Sequence, residues 1–174
     1  MTRSAPPLYS GELYDTPVGN LLLICSDAGL AAVEWVHSRH DLERYLRRLK
    51  RSVYAYPARI APYAAELREY LDCRRREFSI PIDWDLLRPF QRLALECVWA
   101  IPYGETRTYS QIALELGKPR ASRAVGRANA TNPMPLVIPC HRLIGADGKL
   151  HGYGGGEGLA TKEWLLKMEG AVIA

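Results

Sequence analysis

Thr108-Tyr-Ser-Gln-Ile-Ala-Leu-Glu-Leu-Gly117, then Lys118-Pro119 and Arg120-Ala-Ser-Arg-Ala-Val-Gly-Arg-Ala-Asn129, is the stretch on which the fold turns. Thr108 with Gln111 three residues later has the form of a capping box, in which each side chain satisfies a backbone N–H of the other residue. A short helix therefore opens there, and Gly117 ends it as a left-handed cap. Pro119 suits the first turn of a new helix running to about Asn129. Two short helices about a glycine-containing turn are the outline of a helix-turn-helix. The second helix is built from small side chains and arginines. Small residues let a backbone approach a partner closely, while arginines reach phosphates or enter a groove. The plainer alternative is a helix packed tightly on its neighbour, a role that Ala124 and Val125 suit. Bulk is missing from the other faces too, which favours nucleic acid.

Charge points the same way. Between Leu116 and Ala146 there is no Asp or Glu, yet Lys118, Arg120, Arg123, Arg127 and Arg142 fall there, more positive charge than the formal net +4 of the whole chain. A local cationic face suits a polyanion, although a solvated helix face is an equal alternative from charge alone.

Upstream of this pair, Phe90, Leu93, Ala94, Cys97, Val98 and Ile101 keep the spacing of one buried helical stripe beginning at Pro89, and Pro102-Tyr-Gly104 stops it. A C-terminal helix is expected from about Thr161 through Met168, capped by Gly170. The second half, residues 84–174, thus reads as mainly α. The first half, residues 1–83, reads as a small α/β unit. Leu8 to Tyr14, Asn20 to Ser26 and Gly29 to Val36 have strand character, punctuated by Pro17-Val-Gly19 and Asp27-Ala-Gly29. Helices are expected over Asp41 to Lys50 and Tyr63 to Leu71, and Phe78 to Asp83 reads as extended chain leading into the second half.

With 174 residues and 48% hydrophobic content the chain can bury a real core, as one large domain or two small ones. Leu21 to Cys25 is far too short an apolar run to span a bilayer, and Met1 to Pro7 has no secretory signal, so a cytoplasmic protein without a membrane partner is expected. Cys25, Cys73, Cys97 and Cys140 are scattered with no CxxC pair, which argues against disulfides. His37 and His40 with Cys25 or Cys73 match no strong zinc spacing, so no metal is expected.

Of the four cysteines only Cys140 has a reactive setting. Leu136-Val-Ile-Pro-Cys-His-Arg142 is an apolar run ended by Pro139, which biases Ile138 to extended geometry and sets Cys140 beside His141 and Arg142. A thiolate is the nucleophile, and an adjacent base or cation favours it. Neighbouring side chains on extended chain point to opposite faces. Either the chain turns at Cys140, or a water carries the proton between thiol and imidazole. Glu169 lies in the last turn of the C-terminal helix, where the dipole disfavours a carboxylate. In isolation an exposed glutamate tolerated at small cost is the plainer account; beside Cys140 and His141 an imidazole partner, completing a triad, gains weight.

Pro139-Cys-His-Arg142, with Ile101-Pro-Tyr-Gly-Glu-Thr106, Tyr109, Ser122-Arg-Ala-Val-Gly126 and Asn132-Pro133, resembles the methylated-DNA–protein-cysteine methyltransferases, the O6-alkylguanine-DNA alkyltransferases. The likeness covers nearly the whole chain and is strongest from Phe90 to Gly170. It implies a ribonuclease H-like N-terminal domain over residues 1–83 and a DNA-binding, alkyl-transferring domain over residues 84–174. Cys140 would take the alkyl group of O6-alkylguanine, and with it that of O4-alkylthymine, irreversibly and once per molecule, without a cofactor. His141 would activate it through a water, with Glu169 behind, and Asn132 would brace the turn. The base would be flipped out of duplex DNA, with Arg123 taking its place in the stack and Tyr109 supporting the flipped nucleotide and donating a proton. Ala121, Ser122, Ala124, Gly126 and Arg127 would complete a minor-groove surface. Tyr153, Gly154, Leu143 and Pro135 would wall the pocket. A monomer with no obligate protein partner, self-associating on DNA, fits the resemblance. The chain departs from it at Leu87-Arg-Pro-Phe-Gln91, where relatives often show Gly-Thr before the Phe-Gln, and at Glu157-Gly158, an insertion relative to some of them.

Two other classes compete. An alkyltransferase-like damage-recognition protein has this architecture without the acceptor cysteine, which Cys140 opposes. A Cys-His hydrolase uses the same three residues but needs an oxyanion hole and turns over.

Overall fold

The computed structural model describes residues 6–172; Met1–Ala5, part of the stretch read above for a secretory signal, lie outside it. The chain divides after Asp83 into two compact units.

The first unit contains β1 (Leu8–Leu13), β2 (Leu21–Cys25), β3 (Leu30–Trp35), α1 (Arg39–Arg48), β4 (Val53–Ala55) and α2 (Pro57–Leu71). The sheet order is β3-β2-β1-β4, antiparallel except for the parallel β1–β4 pair. Every residue of β2 is buried, because helices cover both faces of the sheet at that strand. Alternation sends Leu22 and Ile24 to the α1 side, where Leu42, Tyr45, Leu46 and Leu49 pack. On the other side α2 approaches closely at Gly11, where a Cβ would stand 3.0 Å from that of Ile60. Phe78 to Asp83 is largely irregular, with Ile82 bridging Leu30 in parallel.

Two expectations need correction here. The helix expected from Tyr63 starts at Pro57. Pro62 reads as a breaker because it lacks an N–H, but burial of Ile60 against the sheet outweighs one missing hydrogen bond. Strand β4 was not foreseen at all. Three residues are too few for any period to register, and only pairing with β1 makes them a strand.

The second unit holds α3 (Pro89–Trp99), β5 (Arg107–Thr108), α4 (Tyr109–Glu115), α5 (Ser122–Ala130), β6 (Leu143–Ile144) and α6 (Leu159–Met168). The architecture is therefore a small mixed sheet with helices, followed by a mainly helical unit carrying the helix-turn-helix α4–α5. The capping box is present in full at Thr108 and Gln111, and Gly117 has φ +67° after the last residue of α4. Pro119, however, lies in the turn. The amide of Ala121 closes that turn on the Lys118 carbonyl at 2.8 Å, and α5 begins only at Ser122. The stripe on α3 is also rotated from expectation. Ala94, Leu95 and Val98 are buried, Phe90 and Cys97 are partly buried, and Leu93 is 49% exposed. Spacing fixes a period, but the phase depends on which neighbours arrive.

Candidate active site

Cys140 reaches its place through two tight turns. Pro139 has φ −78° and ψ 64°, and the Cys140 amide bonds back to the Ile138 carbonyl at 2.7 Å, an inverse γ-turn. Cys140–Arg142 then form one 3-10 turn, with the Arg142 amide on the Pro139 carbonyl at 2.9 Å. The chain therefore turns at Cys140, a geometry that is compatible with a water carrying the proton between thiol and imidazole. The loop before it is stitched by Asn132, whose Nδ2 donates to the Ile138 carbonyl at 2.9 Å while its Oδ1 accepts from the Met134 amide at 3.0 Å. Leu136 takes φ +74°, a conformation costly for a branched side chain and held here by complete burial.

After the turn, β6 pairs in parallel with β5, Arg107 opposite Leu143. That pairing draws the start of α4, and with it Tyr109, towards Cys140. Asn129 on α5 is buried, its Nδ2 lying 3.4 Å from the Cys140 carbonyl, and it hydrogen-bonds the Tyr109 hydroxyl. Burial and the nearby Cys140 push the Tyr109 pKa up, so it is a protonated phenol at neutral pH.

Helix α6 supplies the charged groups. Glu169 Oε1 lies 2.9 Å from His141 Nε2, and Arg142 forks onto both oxygens at 2.9 Å. The Gly104 amide donates to Oε2 at 3.1 Å. Gly104 has φ +78°, and a Cβ there would meet the Glu169 carbonyl oxygen at 2.9 Å, so only glycine fits. Burial alone would raise the Glu169 pKa; the His141 and Arg142 hydrogen bonds and charges hold it far below the ordinary range. An ionised carboxylate only accepts, so His141 Nε2 carries the proton and Nδ1 is the basic nitrogen. Burial keeps the imidazole neutral by lowering its pKa, more than the Glu169 hydrogen bond and charge raise it.

Around the sulfur, burial raises the Cys140 pKa, opposed by hydrogen bonds from Asn132 and Tyr153, the positive charge of Lys162 and its own amide. The resting group is therefore a thiol, which a base must deprotonate. Lys162 is fully buried; its Nζ donates to the Leu143 carbonyl and, at 2.9 Å, to that of His151. Desolvation lowers its pKa to about 8, against the pull of Cys140.

On the outside of the helix pair, Arg123, Ala124 and Arg127 are exposed, whereas Val125 and Ala128 are buried. Arg123, Arg127 and Arg88 line a groove of about 940 Å³ with Phe90, Gln91 and Thr131. Gly126 faces inwards, its Cβ position 3.9 Å from the Tyr109 ring.

Residues 89–171 match the family model for the DNA binding domain of 6-O-methylguanine DNA methyltransferase, and residues 10–84 match that for its ribonuclease-like domain. The methylated-DNA–protein-cysteine methyltransferase of Methanosarcina barkeri is 37% identical over 158 residues, covering 91% of this chain and 95% of its own. That of Mycolicibacterium paratuberculosis is 41% identical over 157 residues, 89% of this chain and 88% of its own. The chain belongs to the methylated-DNA–protein-cysteine methyltransferase family. A crystal structure of Mycobacterium tuberculosis OGT in complex with DNA superposes with a TM-score of 0.75 at 34% identity, covering 94% of this chain and 92% of that one.

For this methyltransferase family member, the residues singled out from sequence fall into three sets. Cys140, His141, Glu169, Tyr109, Asn132 and Tyr153 converge on one buried network. Arg123, Ala124 and Arg127 are exposed on α5, with Ser122 half-buried and Ala121 just ahead of the helix. Leu143 contributes its carbonyl to Lys162 while its side chain is wholly buried, and no hydrogen bond ties Pro135 or Gly154 to Cys140 among the described residues. Arg142 leaves the cationic surface it was counted in, because it is buried against Glu169. Sequence reasoning missed Lys162 and Asn129. Lys162, Leu165, Leu166 and Glu169 lie on one face of α6, and that spacing was the available signal. Among the described residues no group of three or more His, Cys, Asp or Glu is placed to hold a metal, and no helix is long and apolar enough to cross a membrane.

Proposed function

We propose that this protein repairs O6-alkylguanine in duplex DNA by direct reversal, moving the alkyl group onto Cys140, and that it handles O4-alkylthymine by the same chemistry. The observation that carries the reading is a buried thiol at the centre of a network holding a neutral imidazole, an ionised glutamate and a buried lysine. His141 Nδ1 takes the thiol proton through a water, and Glu169 stabilises the imidazolium. Sγ then forms a bond to the alkyl carbon as the carbon–O6 bond breaks. Guanine leaves with its electron pair and takes a proton from Tyr109, which is restored from the imidazolium; the net effect moves the thiol proton to guanine. Lys162 acts as a positioning residue whose charge favours the thiolate. The product is a thioether with no leaving group to reverse it, so one molecule repairs one lesion, and no cofactor enters the step.

At 5% exposure Cys140 is beyond the reach of a stacked base, which supports flipping of the nucleotide. Arg123 fills the gap in the stack, and the small surface of α5, with Ala121, Ser122, Ala124 and Arg127, allows close approach to the minor groove, while Gly126, expected on that surface, instead lets the helix pack inwards against Tyr109. Tyr153, Gly154, Leu143 and Pro135 bound the alkyl pocket. The protein acts as a monomer, self-associating along DNA. Four unpaired cysteines fit a reducing compartment, the cytoplasm. A damage-recognition protein without transfer has no use for this acceptor network. The test is intact-protein and peptide mass after incubation with excess O6-methylguanine duplex. One methyl group per chain, on the Cys140 peptide, with no further turnover, is expected. An unchanged mass, an adduct elsewhere or catalytic release of alcohol would overturn the reading.

A further inference from the structure

The first unit carries a cationic notch that the transfer chemistry does not use. From Arg39 to Arg51 the chain has six Arg or Lys and only two carboxylates, Asp41 and Glu43. Both carboxylates are taken, Glu43 by Arg39 at 3.6 Å and Asp41 by Arg44 at 2.6 Å. Downstream, Arg47, Lys50 and Arg51 have no carboxylate within 4.0 Å among the described residues, whereas Arg59, Arg74 and Arg75 of the same unit each have one. These three unmatched cations line a single concavity of about 500 Å³, between the end of α1 and the start of β4, floored by Leu46 and Val53 and edged by Ser52. Helix polarity accounts for part of this, since a helix C-terminus carries roughly half a negative charge. Three cations exceed it. Arg51 adds an independent sign: its Nη2 donates to the Pro6 carbonyl, but its Nε is buried with no hydrogen-bond partner. A buried orphan donor costs free energy and marks a place where an acceptor belongs.

We infer that this notch binds the phosphodiester backbone of DNA, as a contact of the N-terminal unit separate from the helix-turn-helix. The inference rests on the reading of duplex DNA as the substrate. Guanidinium forks and an ammonium, at the edge of an apolar floor and without local counter-charges, match phosphate oxygens. A polyanion already held by the second unit presents such phosphates at high effective concentration.

The test uses the full chain and the salt dependence of its affinity for an undamaged duplex. Each phosphate contact contributes about 0.9 to the slope of log K against log salt. The triple variant Arg47→Ala/Lys50→Ala/Arg51→Ala should lower that slope by about 2 to 3, and weaken binding roughly a hundredfold at 0.1 M salt. The double variant Arg47→Glu/Lys50→Glu, which keeps Arg51 and its bond to Pro6, should also lower the slope. Alkyl transfer to Cys140 from a free O6-alkylguanine base, which involves no backbone, should be unchanged in both. A control carrying Arg39→Ala, Arg44→Ala and Lys167→Ala, the last paired with Glu163 at 2.6 Å, removes the same number of cations where each is ion-paired, and should leave the slope nearly unaltered. An unchanged slope in the notch variants, or an equal fall in the control, overturns the inference while leaving the active-site reading intact. Loss of poly-glutamate binding with a retained DNA slope also overturns it, and assigns the notch to an acidic protein segment. Failure of the wild-type chain to bind duplex or to transfer from the free base instead strikes the functional reading itself.

Discussion

Cys25 and Cys140 are almost equally hidden, at 1% and 5% exposure, and burial raises the pKa of both thiols. One sits in β2 under α2, with the Arg59 charge its chief opposing influence; the other sits in a turn with Asn132, Tyr153, Lys162 and its own amide all favouring its anion. Burial therefore does not distinguish a structural cysteine from a reactive one. What distinguishes them is whether polar groups able to move a proton are buried with the sulfur.

The comparison breaks outright if Cys140→Ser still accepts an alkyl group. Expected is loss of essentially all transfer, with duplex binding retained in a mobility-shift assay, and no change in transfer rate for Cys25→Ala.

Glu169→Gln sharpens it. Removing one partner of a buried ion pair typically costs about 3–5 kcal/mol, here by leaving Arg142 uncompensated, and the transfer rate should fall about a hundredfold, the lower end of a general-base contribution. Denaturant melts and single-turnover kinetics check the two effects. The pH dependence of stability carries the same signature. Glu169 has its folded pKa below the ordinary 4.5 and His141 below the ordinary 6.5, so in each case the unfolded chain binds more protons in between. Stability should therefore begin to fall as pH drops through 6.5, and fall more steeply below 4.5. In Glu169→Gln the second step should shrink, leaving only the part owed to carboxylates such as Glu66 and Asp147, whose pKa values are also lowered.

Smaller effects separate positioning from packing. Lys162→Met should slow transfer about tenfold, equivalent to one unit of thiol pKa, and should remove a decline in wild-type rate as Lys162 loses its proton above about pH 8. A purely structural Lys162 would alter melting without altering that pH profile. Smallest of all, Cys25→Ser should cost about 1–3 kcal/mol by burying a hydroxyl in an apolar strand, with transfer from a free base unaffected.

How much was legible beforehand follows from the range of each interaction. The capping box at Thr108, the Gly117 cap and the three long strands are local, set by residues within four positions of one another. The Pro139-Cys-His-Arg142 motif named the nucleophile for the same reason. The start of α2, strand β4 and the phase of the α3 stripe were not legible, because each depends on a partner distant in sequence: Ile60 against Gly11, Val53 beside Leu8, Leu95 turned inward in place of Leu93.

Residue order alone determined that Cys140 has a base beside it and that a small, arginine-bearing helix precedes it. Only the folded chain decided how the base is used. His141 is oriented by a glutamate 28 positions away, and Arg142 is withdrawn from the surface to share that carboxylate. Lys162 becomes a buried charge through the carbonyls of Leu143 in β6 and His151 in the loop after it. Desolvation and hydrogen bonding set proton affinities, and both are properties of what surrounds an atom in space, which no sequence window contains.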